Sequence, residues 1–193
     1  MLGNLRGEKL RRYVEPALAG VDADADVKSV LFVCWGNVCR SLAAEVILKR
    51  EMKRLGVDGS QIDSAGISPV DQPSKPSWPM RWASFQRGVW LKPKQRLLRK
   101  KDLDRFDLVI AMDRDVLFSV NTIARHKPKN VWLLSDFHPK NSRVDVPDPM
   151  RRPVSVCNDV LDMLEAACKE IGLYIRFDRR TDIAMTTQAS VIA

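Results

Sequence analysis

Short, unbroken apolar runs alternate along this chain with longer stretches whose apolar residues recur every three or four positions. Val30-Leu31-Phe32-Val33, Leu108-Val109-Ile110-Ala111-Met112 and Val131-Trp132-Leu133-Leu134 are continuous rather than alternating, as expected of strands covered on both faces. Gln61 to Ala65 is a weaker fourth strand. Between them Ala44, Ile47, Leu48, Met52 and Leu55 fall at helical spacing, as do Trp78, Trp82, Phe85 and Val89. Ser77 is positioned to cap the second of these helices, with Pro79 in its first turn. A last helix carries Cys157, Leu161, Leu164, Cys168 and Ile171 on one stripe, and Gly172 is read as its C-cap. Strand and helix in alternation predict an α/β fold built on a parallel sheet.

The pattern starts near Val27 and decays past Gly172. Residues 1–26, with Gly3, Gly7, Gly20 and alternating Asp22, Asp24 and Asp26, read as a flexible leader. Residues 27–173 form the domain, and 174–193 read as a mostly disordered tail. At 193 residues a single core is expected. No apolar run approaches the ~18 residues of a membrane span, and the charged N-terminus lacks the apolar stretch of a secretory signal. Four unevenly spaced cysteines do not make a disulfide scaffold, so reduced thiols and a cytoplasmic location are expected, with Cys157 and Cys168 as core residues.

The net charge of +8 suggests a nucleic-acid partner only until it is located. Between Lys75 and Arg105 ten basic residues face two acidic ones, a balance of +8, so the remainder of the chain is neutral. A nucleic-acid-binding role is therefore disfavoured, and an acidic substrate drawn to this segment and to Arg151 and Arg152 is the preferred expectation.

The chemistry lies where the first strand ends. Cys34-Trp35-Gly36-Asn37-Val38-Cys39-Arg40-Ser41 joins a buried strand directly to a helix N-terminus, where free amides and the helix dipole attract anions. In such a loop Cys34 is the candidate nucleophile, its thiolate favoured by the amides and by Arg40. Arg40 is suited to gripping two phosphate oxygens with its planar fork, and Ser41 to hydrogen-bonding the thiolate. Gly36 and Asn37 suit left-handed backbone angles, and Trp35, Val38 and Cys39 complete the substrate-binding loop. Trp35 either walls the pocket or packs into the core. Nucleotide and dinucleotide glycine loops are absent, and the Cys34 to Cys39 spacing is not that of a dithiol redox motif. The reaction also needs a proton donor. His126 and His138 are poorly placed, whereas Asp148 lies in Val146-Pro147-Asp148-Pro149 just before the last helix, although an Asp between prolines also serves as a plain turn residue.

The run from Val30 to Ser41 resembles the low-molecular-weight protein tyrosine phosphatases. Asp63-Ser64-Ala65-Gly66, the stretch Phe106 to Asp113, and Pro147-Asp148-Pro149 resemble further segments of that family in the same order. The resemblance implies a four-stranded, twisted parallel sheet with helices on both faces and the phosphate-binding loop after its first strand. It implies a phosphocysteine route with Cys34, Arg40 and Asp148 as catalytic residues, and neither metal nor cofactor. The expected substrate is a phosphotyrosine protein or a small phosphate ester. A reversible Cys34–Cys39 disulfide is also implied. The alternatives are arsenate reduction on the same fold, which needs resolving cysteines missing between Asp63 and Val156, and a silent module that binds phosphate or nucleic acid without turnover.

Overall fold

The computed structural model describes residues 27–68, 75–139 and 144–191, with side chains to Arg176; the leader 1–26 lies outside this range. Strands β1 (Ser29–Cys34), β2 (Gln61–Gly66), β3 (Leu108–Ala111) and β4 (Val131–Leu133) form one parallel sheet in the order β2-β1-β3-β4. The helices are α1 (Arg40–Leu55), α2 (Trp78–Gln86), α3 (Lys100–Arg105), α4 (Arg114–Ala124) and α5 (Val154–Val191), with a 3₁₀ turn at Leu134–Phe137 after β4.

Alternate residues of the central strands point into two separate cores, which is why their apolar runs are unbroken. Val30, Phe32, Leu108 and Ile110 meet α1, α2 and α5 through Ala44, Ile47, Met80, Leu161 and Leu164. Leu31, Val33, Val109 and Ala111 pack on the other face against Leu103, Val116 and Val120 of α3 and α4. Cys157 and Cys168 lie wholly inside the first core, as their stripe predicts.

The chain passes from β1 outward to β2 and then crosses back to β3 on the other side of β1. The loops leaving β1 and β3 therefore diverge and open a crevice at the carboxyl edge, where such sheets bind ligands. At the opposite edge Asp107 fixes the start of β1, its carboxylate accepting from the amides of Lys28 and Ser29 and from the Ser29 hydroxyl.

Three local expectations are corrected. Gly172 does not end the last helix, which runs on to Val191. A Cβ at Gly172 would stand 3.1 Å from Leu55 Cδ1 and 3.8 Å from Leu48 Cδ1, so this glycine serves the close approach of α5 to α1. Ser77 occupies the N-cap of α2, but its hydroxyl makes no capping bond. The helical spacing of Trp78, Trp82 and Phe85 does mark a helix, yet these rings face solvent while Met80, Ala83 and Ser84 fill the buried side.

Candidate active site

Cys34 is the last residue of β1, and α1 begins at Arg40, so the loop between them sits on the helix N-terminus. Cys39, the N-cap residue, makes no side-chain capping bond, and the first turn contains no acidic residue. The anion-attracting end of α1 is thus not already neutralised by its own sequence.

Of the loop residues, Asn37, Arg40 and Ser41 are buried along with Cys34, Val38 and Cys39. Trp35 is 55% exposed, which settles its side chain outside the core. The left-handed angle falls on Asn37 (φ 53°); Gly36 does not have a positive φ. The glycine the loop requires is Gly66 of β2. A Cβ there would stand 2.8 Å from both the Asn37 nitrogen and the Gly36 carbonyl carbon, and 2.9 Å from the Trp35 oxygen, all backbone atoms. Amides of Ile67 and Ser68 donate to the Trp35 carbonyl at 2.9 and 3.0 Å and hold the loop against β2.

Asn37 organises the floor of the site. Its Oδ1 accepts from the Arg96 amide (3.1 Å), which orients its Nδ2 toward Ser41 Oγ (3.0 Å) and Ser64 Oγ (2.8 Å). Ser64 Oγ donates in turn to Glu45 Oε2 at 2.6 Å. Ser41 Oγ, which accepts from Asn37, lies 3.0 Å from Cys34 Sγ and 3.5 Å from the Ala65 carbonyl, so it is in reach to donate to a Cys34 thiolate. Glu45 is buried and paired with Lys49 at 2.5 Å, so its charge is compensated. The sequence singles out Asn37 and Ser41; it does not reveal that Ser64 and Glu45 orient them.

Arg40 is equally constrained. Its Nη1 meets Asp113 Oδ2 at 2.5 Å and the Val146 carbonyl at 3.0 Å, leaving Nη2 toward the mouth, 3.9 Å from Asp148 Oδ2. Asp113 follows β3 and also caps α4, accepting from the Val116 amide at 2.7 Å. It was missed in the sequence, where an Asp between a strand and a helix reads only as a cap. Val146 is tied in turn to the end of β3, its amide donating to the Met112 carbonyl. Two residues further, the Asp148 side chain is 59% exposed at the mouth, with Oδ1 accepting from the Met150 amide at 3.1 Å. Cys34, Arg40 and Asp148 thus converge, whereas His126 sits at the far end of α4, bonded to the Ala124 carbonyl.

Cys39 differs from its neighbour. Burial, and then the nearby Cys34, push its thiol up to about 12. At neutral pH Cys39 is a protonated thiol. All four cysteines are free.

Three cations of the basic segment are held in ion pairs. Arg87 pairs with Asp162 and Glu165 of α5, Arg96 with Asp63 and Asp102, and Lys94 with Asp63 and Glu45.

A thiol at the end of β1, an arginine fixed in the loop that follows it and a carboxylate at the mouth form an arrangement suited to a cysteine-dependent phosphatase. Comparison with known proteins narrows the class. Residues 29–180 match the sequence profile described as low molecular weight phosphotyrosine protein phosphatase. The low molecular weight protein-tyrosine-phosphatase YfkJ of Bacillus subtilis is 31% identical over 155 residues, covering 79% of this chain and 98% of its own length. Its crystal structure superposes with a TM-score of 0.69 at 29% identity, over 79% of this chain and 96% of that one. A protein tyrosine phosphatase from Entamoeba histolytica superposes with a TM-score of 0.71 at 28% identity, over 78% of this chain and 98% of that one. The chain belongs to the low molecular weight protein tyrosine phosphatases, cysteine-dependent hydrolases that act through a phosphocysteine intermediate.

Proposed function

We propose that Cys34, Arg40 and Asp148 carry the family's reaction in this chain and that its substrate is a phosphotyrosine protein. The observation behind the assignment is the hydrogen-bonded chain of Glu45, Ser64, Asn37 and Ser41, which ends 3.0 Å from Cys34 Sγ. The loop amides and the α1 dipole suit the same position to an anionic phosphate.

In the first step the Cys34 thiolate attacks phosphorus. The S–P bond forms as the P–O bond to tyrosine breaks, and the Asp148 carboxyl gives its proton to the departing oxygen. Charge on the transferring group is held by the loop amides and by Arg40, itself held by Asp113 and the Val146 carbonyl. In the second step water attacks phosphorus, Asp148 takes the water's proton, and the Cys34 thiolate leaves toward the Ser41 hydroxyl. Trp35, exposed beside the nucleophile, is available to flank a substrate ring. Among the described residues no helix is long and apolar enough to cross a membrane, and the free thiols suit a reducing, cytoplasmic setting.

The reading is tested by comparing phosphotyrosine peptides, phosphoserine peptides and small phosphate esters as substrates for the full chain. Phosphotyrosine is expected to give the highest kcat/KM among the peptides. Equal rates on phosphoserine would overturn the substrate assignment and leave the chemistry intact.

A further inference from the structure

Four aromatic rings lie together on the outer face of α2 and the turn behind it. Trp78, Trp82, Phe85 and Trp90 are 66%, 44%, 51% and 64% exposed. Trp78 and Trp82 stack almost parallel, with centroids 6.1 Å apart; Phe85 follows at 6.1 Å and Trp90 closes the row edge-on at 5.1 Å. Since a fully buried ring of this kind removes about 150–250 Å² from water, the row exposes apolar surface on the order of a few hundred Å². A contiguous apolar patch of this size is often a site of interaction.

We propose that this face docks the protein on an anionic lipid surface. The inference concerns a surface apart from the catalytic chemistry and does not depend on the substrate assignment. Charge argues for it first. Lys75, Arg81 and Lys92 are exposed along the same segment, whereas Arg87 and Lys94 are engaged in ion pairs. The row therefore carries positive charge at its margins. A second copy presenting the same face would bring like charges together, while anionic headgroups would neutralise them.

Shape argues next. The rings project from the outer side of a helix whose inner side, through Met80 and Ala83, is packed into the core, so they form a ridge rather than a groove able to enclose a peptide. Their mutual stacking also turns ring faces toward one another, whereas a single-stranded nucleic acid needs free faces for its bases. Exposed indoles with flanking cations suit the headgroup layer of a bilayer. The row also begins at the pocket. Ser77, the residue before Trp78, lies beside Cys39 of the loop, so docking through α2 keeps that loop close to the surface.

The experiment is sedimentation of the full chain with phosphatidylcholine vesicles and with vesicles also containing phosphatidylserine, read alongside intrinsic fluorescence. Three of the five tryptophans lie on this face, so their emission reports its environment. Binding to the anionic vesicles, a blue shift, and weakening by salt are expected. Trp82→Ala with Trp90→Ala is expected to reduce binding at least tenfold, and Arg81→Glu with Lys92→Glu to abolish the preference for anionic lipid. Hydrolysis of a soluble aryl phosphate stays unchanged in both variants, which verifies that they fold. The proposal is overturned by an absence of vesicle binding, by binding that survives both pairs of substitutions, by a concentration-dependent dimer that the Trp substitutions dissolve, or by binding of a single-stranded oligonucleotide in place of vesicles.

Discussion

Replacing Asp113 by Asn separates two roles that the structure gives to one side chain. Asn caps a helix as well as Asp, so the bond to the Val116 amide, 2.7 Å in the native protein, is retained while the charge facing Arg40 is lost. The side chains of Arg40 and Asp113 are only 6% and 18% exposed. Unit charges about 4 Å apart at an effective dielectric near 20 interact by about 4 kcal/mol. Arg40 keeps the Val146 carbonyl, and a bound phosphate restores some of the lost compensation. About 2–3 kcal/mol of transition-state stabilisation is therefore expected to disappear, a fall in kcat/KM of roughly 30- to 150-fold. The assay is hydrolysis of a neutral aryl phosphate, paired with denaturant unfolding. Asp113→Ala is expected to lose a similar factor in rate and about 1 kcal/mol more in stability, because the cap goes as well. An Asp113→Asn enzyme within threefold of the native kcat/KM would refute the idea that this carboxylate holds Arg40 in position for catalysis.

Asp148→Asn is expected to slow alkyl phosphates far more than aryl phosphates with good leaving groups, as measured by the dependence of kcat on leaving-group pKa; a uniform loss would make Asp148 a loop-positioning residue. Gly66→Ala is expected to lose most phosphate affinity, read as competitive inhibition, because the added Cβ meets three backbone atoms of the loop within 2.9 Å. The raised pKa of Cys39 carries a pH dependence. The folded state holds this proton more tightly than the unfolded one, so the associated stability is complete below 9.0 and falls as pH rises toward about 12. Denaturation midpoints should fall across that window, and fall less in Cys39→Ala.

The sheet was legible because strands covered on both faces have no polar side to show. Val30 to Val33 and Leu108 to Met112 were therefore visible as unbroken apolar runs. The catalytic loop was legible because its chemistry is contiguous. What completes it was not, because those partners come from other elements: Asp113 lies 73 positions from Arg40, and Ser64 lies 27 from Asn37. They meet only when β1 is flanked by β2 and β3. Glu45 reads along the sequence as an ordinary solvent-facing helix residue, and its burial follows from the packing of α1 beside β2. Periodicity likewise found α2 but not its buried side. Hydrophobic size favours burying the rings, whereas the close approach of α2 to its neighbours favours Ala83 and Ser84 inside. Gly172 misled for a related reason, since a glycine at helix–helix contact and one at a C-cap look alike in one dimension.

The central claim is that Cys34 itself carries the phosphoryl group. Mixing the enzyme with an excess of a rapidly cleaved aryl phosphate, quenching within the first turnover and mapping the adduct by mass spectrometry tests it most directly. One phosphoryl group is expected on the peptide containing Cys34, enriched in Asp148→Asn if hydrolysis of the adduct is slowed more than its formation, and absent, together with turnover, in Cys34→Ser. Turnover persisting in Cys34→Ser, or a phosphoryl group trapped on any other residue, would contradict it.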